Sequence, residues 1–161
     1  MILRWLGGLL ILLFALIVGR EYSGFAESKV RMLSEYVKAI LQIEKMIEIC
    51  LATPAEIFVD FDSPPLDKCG FLPAVREGRG LGGAFSSADK SALSSEARAI
   101  LSDYFDGFGR GYAEREIARA RKARGELEAL LARERETSEK SVRVTSAMLL
   151  GGAAGVLIFI I

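Results

Sequence analysis

The chain has 161 residues, 21 basic and 21 acidic side chains, a formal net charge of zero and no histidine. A balanced charge excludes a nucleic-acid binder driven by bulk electrostatics, and the lack of histidine removes the usual acid/base group and metal ligand. Hydrophobic residues make up 51% of the chain and crowd toward its two ends, so an ordinary water-soluble domain is not the expectation.

Met1 to Gly19 carries a single charge, Arg4, and is otherwise apolar, which predicts a membrane-spanning helix over 1–19. A cleaved signal peptide is the competing reading, with Gly24-Phe25-Ala26 as a poor small-residue site. Arg20 and Glu21 interrupt the apolar run before that site. Residues 27–51 then repeat apolar side chains at helical spacing: Val30, Leu33, Val37, Ile40, Leu41, Ile47 and Leu51. Lys38, Glu44, Lys45 and Glu48 fall mostly on the opposite face. This predicts a long amphipathic helix that can continue the first span.

Thr53-Pro54 restarts a helix, with Thr as the N-cap and Pro at the first helical position. Ile57, Phe58 and Phe61 form its buried side, and it ends before Ser63-Pro64-Pro65. Residues 62–83 read as a Pro/Gly-rich connection with apolar outcrops at Leu66 and Phe71-Leu72, and with one helical turn near Leu72 to Arg76. Ser86 and Asp89 have the spacing of a capping box. Leu93, Ala97, Ile100, Leu101, Tyr104, Phe105 and Phe108 share a helical face, capped by Ser94 or Ser95 and closed by Gly107, Gly109 and Gly111.

A charged, alanine-rich helix follows from near Tyr112. Glu114 and Glu116 suit the positive end of its dipole, and Ile117, Ala120, Leu127, Leu130 and Leu131 give it an apolar side. It runs without proline into Val144 to Ile161, eighteen residues with no charge. Such a run is about 27 Å long as a helix and reads as a second span. Lys and Arg favour the cytoplasmic side of a span. Arg20, Lys29, Arg31, Arg133, Arg135, Lys140 and Arg143 therefore place 20–143 in the cytoplasm and both termini outside. The chain shows no strand-like alternation and no internal repeat. The expected fold is all-α: a small cytoplasmic helical bundle over 20–143, between an N-terminal span (1–19) and a C-terminal span (144–161).

Several motifs have a bland reading beside a chemical one. Gly78-Arg79-Gly80-Leu81-Gly82-Gly83 spells G-x-G-x-x-G, but a dinucleotide loop needs a strand before it, so a flexible inter-helix loop is expected. Cys50 and Cys69 match no metal-ligand spacing, and in the cytoplasm they would be free thiols rather than a disulfide. Glu44 and Glu48, one turn apart, could do acid/base work. With no nucleophile or histidine near in sequence they read instead as repelling surface charges. No catalytic residue, cofactor or metal is expected.

Arg110, Arg115, Arg119, Arg121, Lys122 and Arg124 form a basic cluster. It reads either as a solvated surface paired with Glu114, Glu116, Glu126 and Glu128, or as a docking face for an acidic partner. Arg115, Arg119 and Lys122 are the expected contacts of that face. Nucleic acid is disfavoured because no aromatics are interleaved for base stacking. Gly151 and Gly155 form a small-xxx-small face in the second span, which reads either as a surface for packing on the first span, through Gly7 and Gly8, or on another subunit, or as plain lipid exposure.

This layout resembles the stage III sporulation protein AB family. The likeness rests on the two terminal spans and on local matches: the Thr53-Pro54 helix start, Ala84-Phe85 opening a later helix, Phe105 and Phe108-Gly109 before the last helix, and the charged helix Leu127 to Ile161 that becomes a glycine-containing span. The family favours an Asp and then a Gln after the turn, where this chain has Tyr112 and Glu116, and its middle is longer and poorer in glycine than 62–83. The resemblance implies a non-enzymatic component of the channel complex between mother cell and forespore, set in the mother-cell membrane. Its domain would be similar to the cytoplasmic domain of type II secretion platform proteins. It would contact a cytoplasmic ATPase and other membrane subunits. A platform subunit of a secretion or pilus-type machine outside sporulation is the alternative.

Overall fold

The structure is a computed structural model that describes the backbone of residues 2–49 and 53–160; within 2–26 and 141–160 side chains are described only at Ile17 and Gly24. The regular elements are α1 (Ile2–Ile49), α2 (Pro54–Ile57), α3 (Pro64–Lys68), α4 (Phe71–Arg76), α5 (Leu81–Ser87), α6 (Ser95–Asp106) and α7 (Ala113–Ile160). The fold is all-α, with no strand among the described residues. Two compact units are present, Lys29–Arg133 and the pair of ends Met1–Ser28 and Glu134–Ile161. Apart from Ile17, the two apolar runs, 1–19 and 144–161, and with them Gly151 and Gly155, lie outside the residues whose side chains are described. Among the described residues no helix is long and apolar enough to cross a membrane. In the unit of the ends, Lys140 pairs with Glu136 at 2.6 Å, one turn apart.

In the Lys29–Arg133 unit, α1 buries Leu33, Tyr36, Ala39, Ile40 and Ile43. Leu33, Ile40 and the half-buried Val30, Val37 and Ile47 agree with the expected face. Tyr36 and Ile43 shift its centre. Tyr36 is the hub of the core: its ring lies 5.4 Å from Phe71, 5.7 Å from Phe85 and 6.3 Å from Phe105. Phe71 and Phe105 approach to 5.3 Å, and Phe85 and Phe105 to 5.4 Å. One aromatic each from α1, α4, α5 and α6 therefore meets at one point. The Tyr36 hydroxyl sits 3.8 Å from Cys69 Sγ. Cys69 is buried and unbridged, and its thiol donates to the Leu66 carbonyl. Cys50 and Leu51 lie outside the described residues.

Thr53 caps α2 as expected, and reciprocally. Its hydroxyl accepts from the Glu56 amide while the Glu56 carboxylate accepts from the Thr53 amide at 2.7 Å. Ile57 and Phe58 are buried, and Phe61 packs half-buried against Phe58 at 5.5 Å.

Residues 62–83 are not a connection. The helical turn expected near Leu72 to Arg76 is present as α4, and beside it the segment holds α3 and the start of α5, with Leu66, Phe71, Leu72 and Val75 fully buried. Proline at the start of α3 and glycines between the helices mark helix boundaries here, since Pro64 takes a position whose amide has no helical partner. α4 packs on α2, α3 and α5, and α5 packs on α6. The glycine motif is likewise structural and not a flexible loop. Gly78 has φ +85° and ends α4 in a Schellman turn, with Gly78 N donating to Val75 O and Arg79 N to Ala74 O. Gly82 lies inside α5 where a side chain would strike the main chain of Asp106 and Phe105 at 3.2–3.3 Å. A helix, not a strand, precedes the motif.

Ser86 and Asp89 do not form a capping box, because Ser86 belongs to the last turn of α5. Asp89 instead accepts from the Ser91 amide at 2.9 Å, and its own amide donates to Cys69 O at 2.8 Å. α6 begins at the expected cap, with Ser94 accepting from the Ala97 amide, and stops at Gly107.

The titrating groups set the pH window of this unit. Burial pushes the Glu35 carboxyl up, but bonds from Lys38 and Ser63 and the charges of Lys38 and Arg31 hold it below its ordinary range. The backbone bond from Thr53 lowers Glu56, and that from Ser91 lowers Asp89. Carboxyls depressed in the folded state stabilise it above their unfolded values, near pH 4, and lose that contribution as pH falls through the folded ones. Burial pushes the Tyr36 and Tyr104 phenols well up. Their contribution is complete below the unfolded value near pH 10 and fades as pH rises beyond it. Melting temperature should therefore be flat from about pH 5 to about pH 9.5 and fall on both sides. Glu35→Gln should soften the acid fall and Tyr36→Phe the alkaline one; slopes identical to wild type would refute these assignments.

Candidate docking face on the last helix

The glycines at 107, 109 and 111 break α6 from α7, and Tyr112 O accepts the first bond of α7, from the Glu116 amide at 3.0 Å. Tyr112 is therefore the N-cap residue. Two side chains from the first turns of α7 fold back onto this junction. Arg119 donates to the carbonyls of Gly107 and Asp103 at the end of α6. Those carbonyls would otherwise lack a helical partner, and a cation suits the negative end of the helix dipole. Glu116, only 5% exposed, accepts from the Gly111 amide at 3.0 Å and lies 3.9 Å from Arg119. A side chain at position 107 would overlap the Arg119 guanidinium, and one at position 111 would stand 3.1 Å from Glu116 Oε1.

Behind this clamp, Glu116 Oε2 and the Tyr104 hydroxyl are buried and have no protein hydrogen-bond partner. Burial first, then the negative charges of Glu116 and Glu44, raise the Tyr104 phenol, against the opposing charge of Arg119. The phenol is therefore neutral at any physiological pH.

One turn further along α7 the contacts cross to α1. Arg121 Nε donates to Glu44 at 2.7 Å and its terminal nitrogen to Glu48 at 2.6 Å. The bond to Glu44, then its charge, raises the Arg121 guanidinium above its ordinary value. Arg124 Nε stands 3.2 Å from Glu44 Oε2, a charge contact without hydrogen-bond alignment, and Arg124 also bonds Glu128. Glu44 is 6% exposed and Arg121 is 58% exposed, so the carboxylate is the desolvated partner. Glu44 and Glu48 are thus not repelling surface charges. One guanidinium bridges both, and Glu44 belongs to the interior.

The three expected contacts of the docking face separate. Arg115 is exposed. Lys122 is 78% exposed, with Glu126 at 3.9 Å. Arg119 is turned inward to α6. Of the expected in-helix pairings, those of Arg119 with Glu116, Lys122 with Glu126 and Arg124 with Glu128 are present. Arg121 reaches α1 instead. Reasoning from the sequence missed Glu44, Tyr104 and Tyr112 as members of this region, and gave Glu116 a surface pairing where it is buried on the Gly111 amide. Helical register carried a signal for two of them: Glu44 falls in line with Leu33, Tyr36 and Ile40, and Glu116 with Ala120, Ala123 and Leu127, all buried. Among the described residues no three His, Cys, Asp or Glu side chains gather so as to hold a metal ion. No protein-family model matches the chain, and neither does any curated protein or solved structure.

Proposed function

We propose that this protein is a non-enzymatic, membrane-anchored assembly component of the mother cell–forespore channel complex of an endospore-forming bacterium. Residues 1–19 and 144–161 anchor it in the mother-cell membrane, and the helical unit faces the cytoplasm. There it presents the exposed cations of α7 to a cytoplasmic ATPase and packs beside other membrane subunits.

One observation carries the reading. Each apolar run shares a helix with the core: α1 includes 2–19 and supplies Leu33, Tyr36 and Ile40, and α7 includes 144–160 and supplies Leu127 and Leu130. A domain whose first and last core helices both lead into apolar segments is suited to being held at a membrane rather than tethered by one flexible leader. The paired charges within the unit serve its cohesion, which suits a scaffold.

The test is made in sporulating cells. The full-length chain should stay with membranes through alkaline washing, and in detergent it should co-purify with the ATPase of the complex. A strain lacking it should form no heat-resistant spores. Recovery from the aqueous fraction, or normal spore counts without the gene, would reject the proposal.

A further inference from the structure

The junction between α6 and α7 is held more firmly than a helix connection requires. Helix hairpins close with glycine alone, and this one has three within five residues. It also has a buried carboxylate on the Gly111 amide and a guanidinium on two carbonyls at the end of α6. The half-buried Phe108, 6.2 Å from Tyr104, anchors its middle.

What this rigid turn displays serves no purpose inside the fold. Tyr112 is 91% exposed. It occupies an N-cap, where Ser, Thr, Asp or Asn would stabilise the helix and tyrosine does not. Arg110 and Arg115 flank it, both exposed and neither ion-paired to any described residue, whereas Arg119, Arg121, Lys122 and Arg124 all have carboxylate partners. A tyrosine on a pre-ordered backbone, between two uncommitted guanidiniums, has the chemistry of an interface anchor: large contact area, little rotamer freedom to lose, and charge to set orientation.

We infer that the α6–α7 turn, with Arg110, Tyr112 and Arg115, is the docking element of this protein. It fits a partner protein whose surface offers carboxylates around an apolar recess that takes the tyrosine ring. This rests on the scaffold reading above and relocates the docking face from the α7 flank to the turn. Glu116 and Arg119 act as positioning residues that hold the turn in shape before the partner arrives.

The test uses the full-length chain in nanodiscs, with the ATPase of the complex as probe. Tyr112→Ser and Arg110→Ser should each weaken its binding about tenfold, in the range of interface anchors. Tyr112→Ser should melt at the same temperature as wild type or higher, because serine caps the helix. Wild-type affinity in both variants would overturn the inference, as would a lower melting temperature for Tyr112→Ser, which would make the ring structural. A loss seen only in phosphatidylglycerol nanodiscs and not in phosphatidylcholine would assign the turn to a lipid surface and overturn it too. Failure of the wild-type chain itself to bind the ATPase would reject the scaffold reading, and the docking turn with it.

Discussion

Truncating Phe71 to alanine is expected to destabilise the Lys29–Arg133 unit by about 3–5 kcal/mol, a large fraction of the roughly 5–15 kcal/mol that holds a domain folded. Phe71 is fully buried and stands against Tyr36, Phe58 and Phe105, with ring centres 5.3–6.1 Å apart. Its removal loses the transfer energy of a phenyl group, the edge contacts to Tyr36 and Phe58 and the tilted contact to Phe105, which are worth about 0.5–1.5 kcal/mol per aromatic pair. It also leaves a hole that four short helices cannot collapse to fill. Phe71→Leu keeps most of the volume and should cost much less. Denaturant unfolding of the detergent-solubilised chain measures both. A loss under about 1 kcal/mol for the alanine variant would mean that the aromatic cluster is not the centre of the core.

Removing both guanidiniums that face Glu44 is the second large effect. Arg121→Ala with Arg124→Ala leaves a 6% exposed carboxylate without its cations. Stranding one member of a fully buried pair costs about 3–5 kcal/mol. Arg121 is more than half exposed, so water screens part of that interaction, and a clear loss of stability below that of a fully buried pair is expected here in denaturant unfolding. The sign of a third change is the sharper test. Adding Glu44→Leu to the double variant should restore stability, because it removes the buried charge rather than a contact. If the triple variant is less stable than the double, Glu44 contributes packing and the electrostatic account fails.

These two sites show what the sequence could and could not reveal. Helices with intact apolar periodicity, such as α6 with its Ser94 cap, were legible almost to the residue, because cap chemistry and register are local. Leu66, Phe71 and Leu72 were visible as apolar outcrops, but their helices of five and six residues are too short to show a period. Proline and glycine there signal boundaries as readily as they signal a loop. Tyr36 escaped because a search for aliphatic spacing passes over a residue with a hydroxyl, although its ring is wholly buried. Glu44 escaped for a physical reason: a carboxylate is interior only if cations from elsewhere reach it. Arg121 and Arg124 lie 77 and 80 residues further along the chain, beyond the reach of any local rule. The exposure of Tyr112, against the inward turn of Arg119, likewise depends on how α7 lies against α6.

The bare α-carbon of Gly82 has a mechanical side. It lets α5 rest directly against the main chain of Asp106, while Arg119 grips the neighbouring carbonyls of Gly107 and Asp103 from α7. The last turn of α6 is thus wedged between two helices. Held from both sides in this way, that turn is placed to be a fixed post rather than a yielding hinge, since displacing it would have to move α5 and α7 as well.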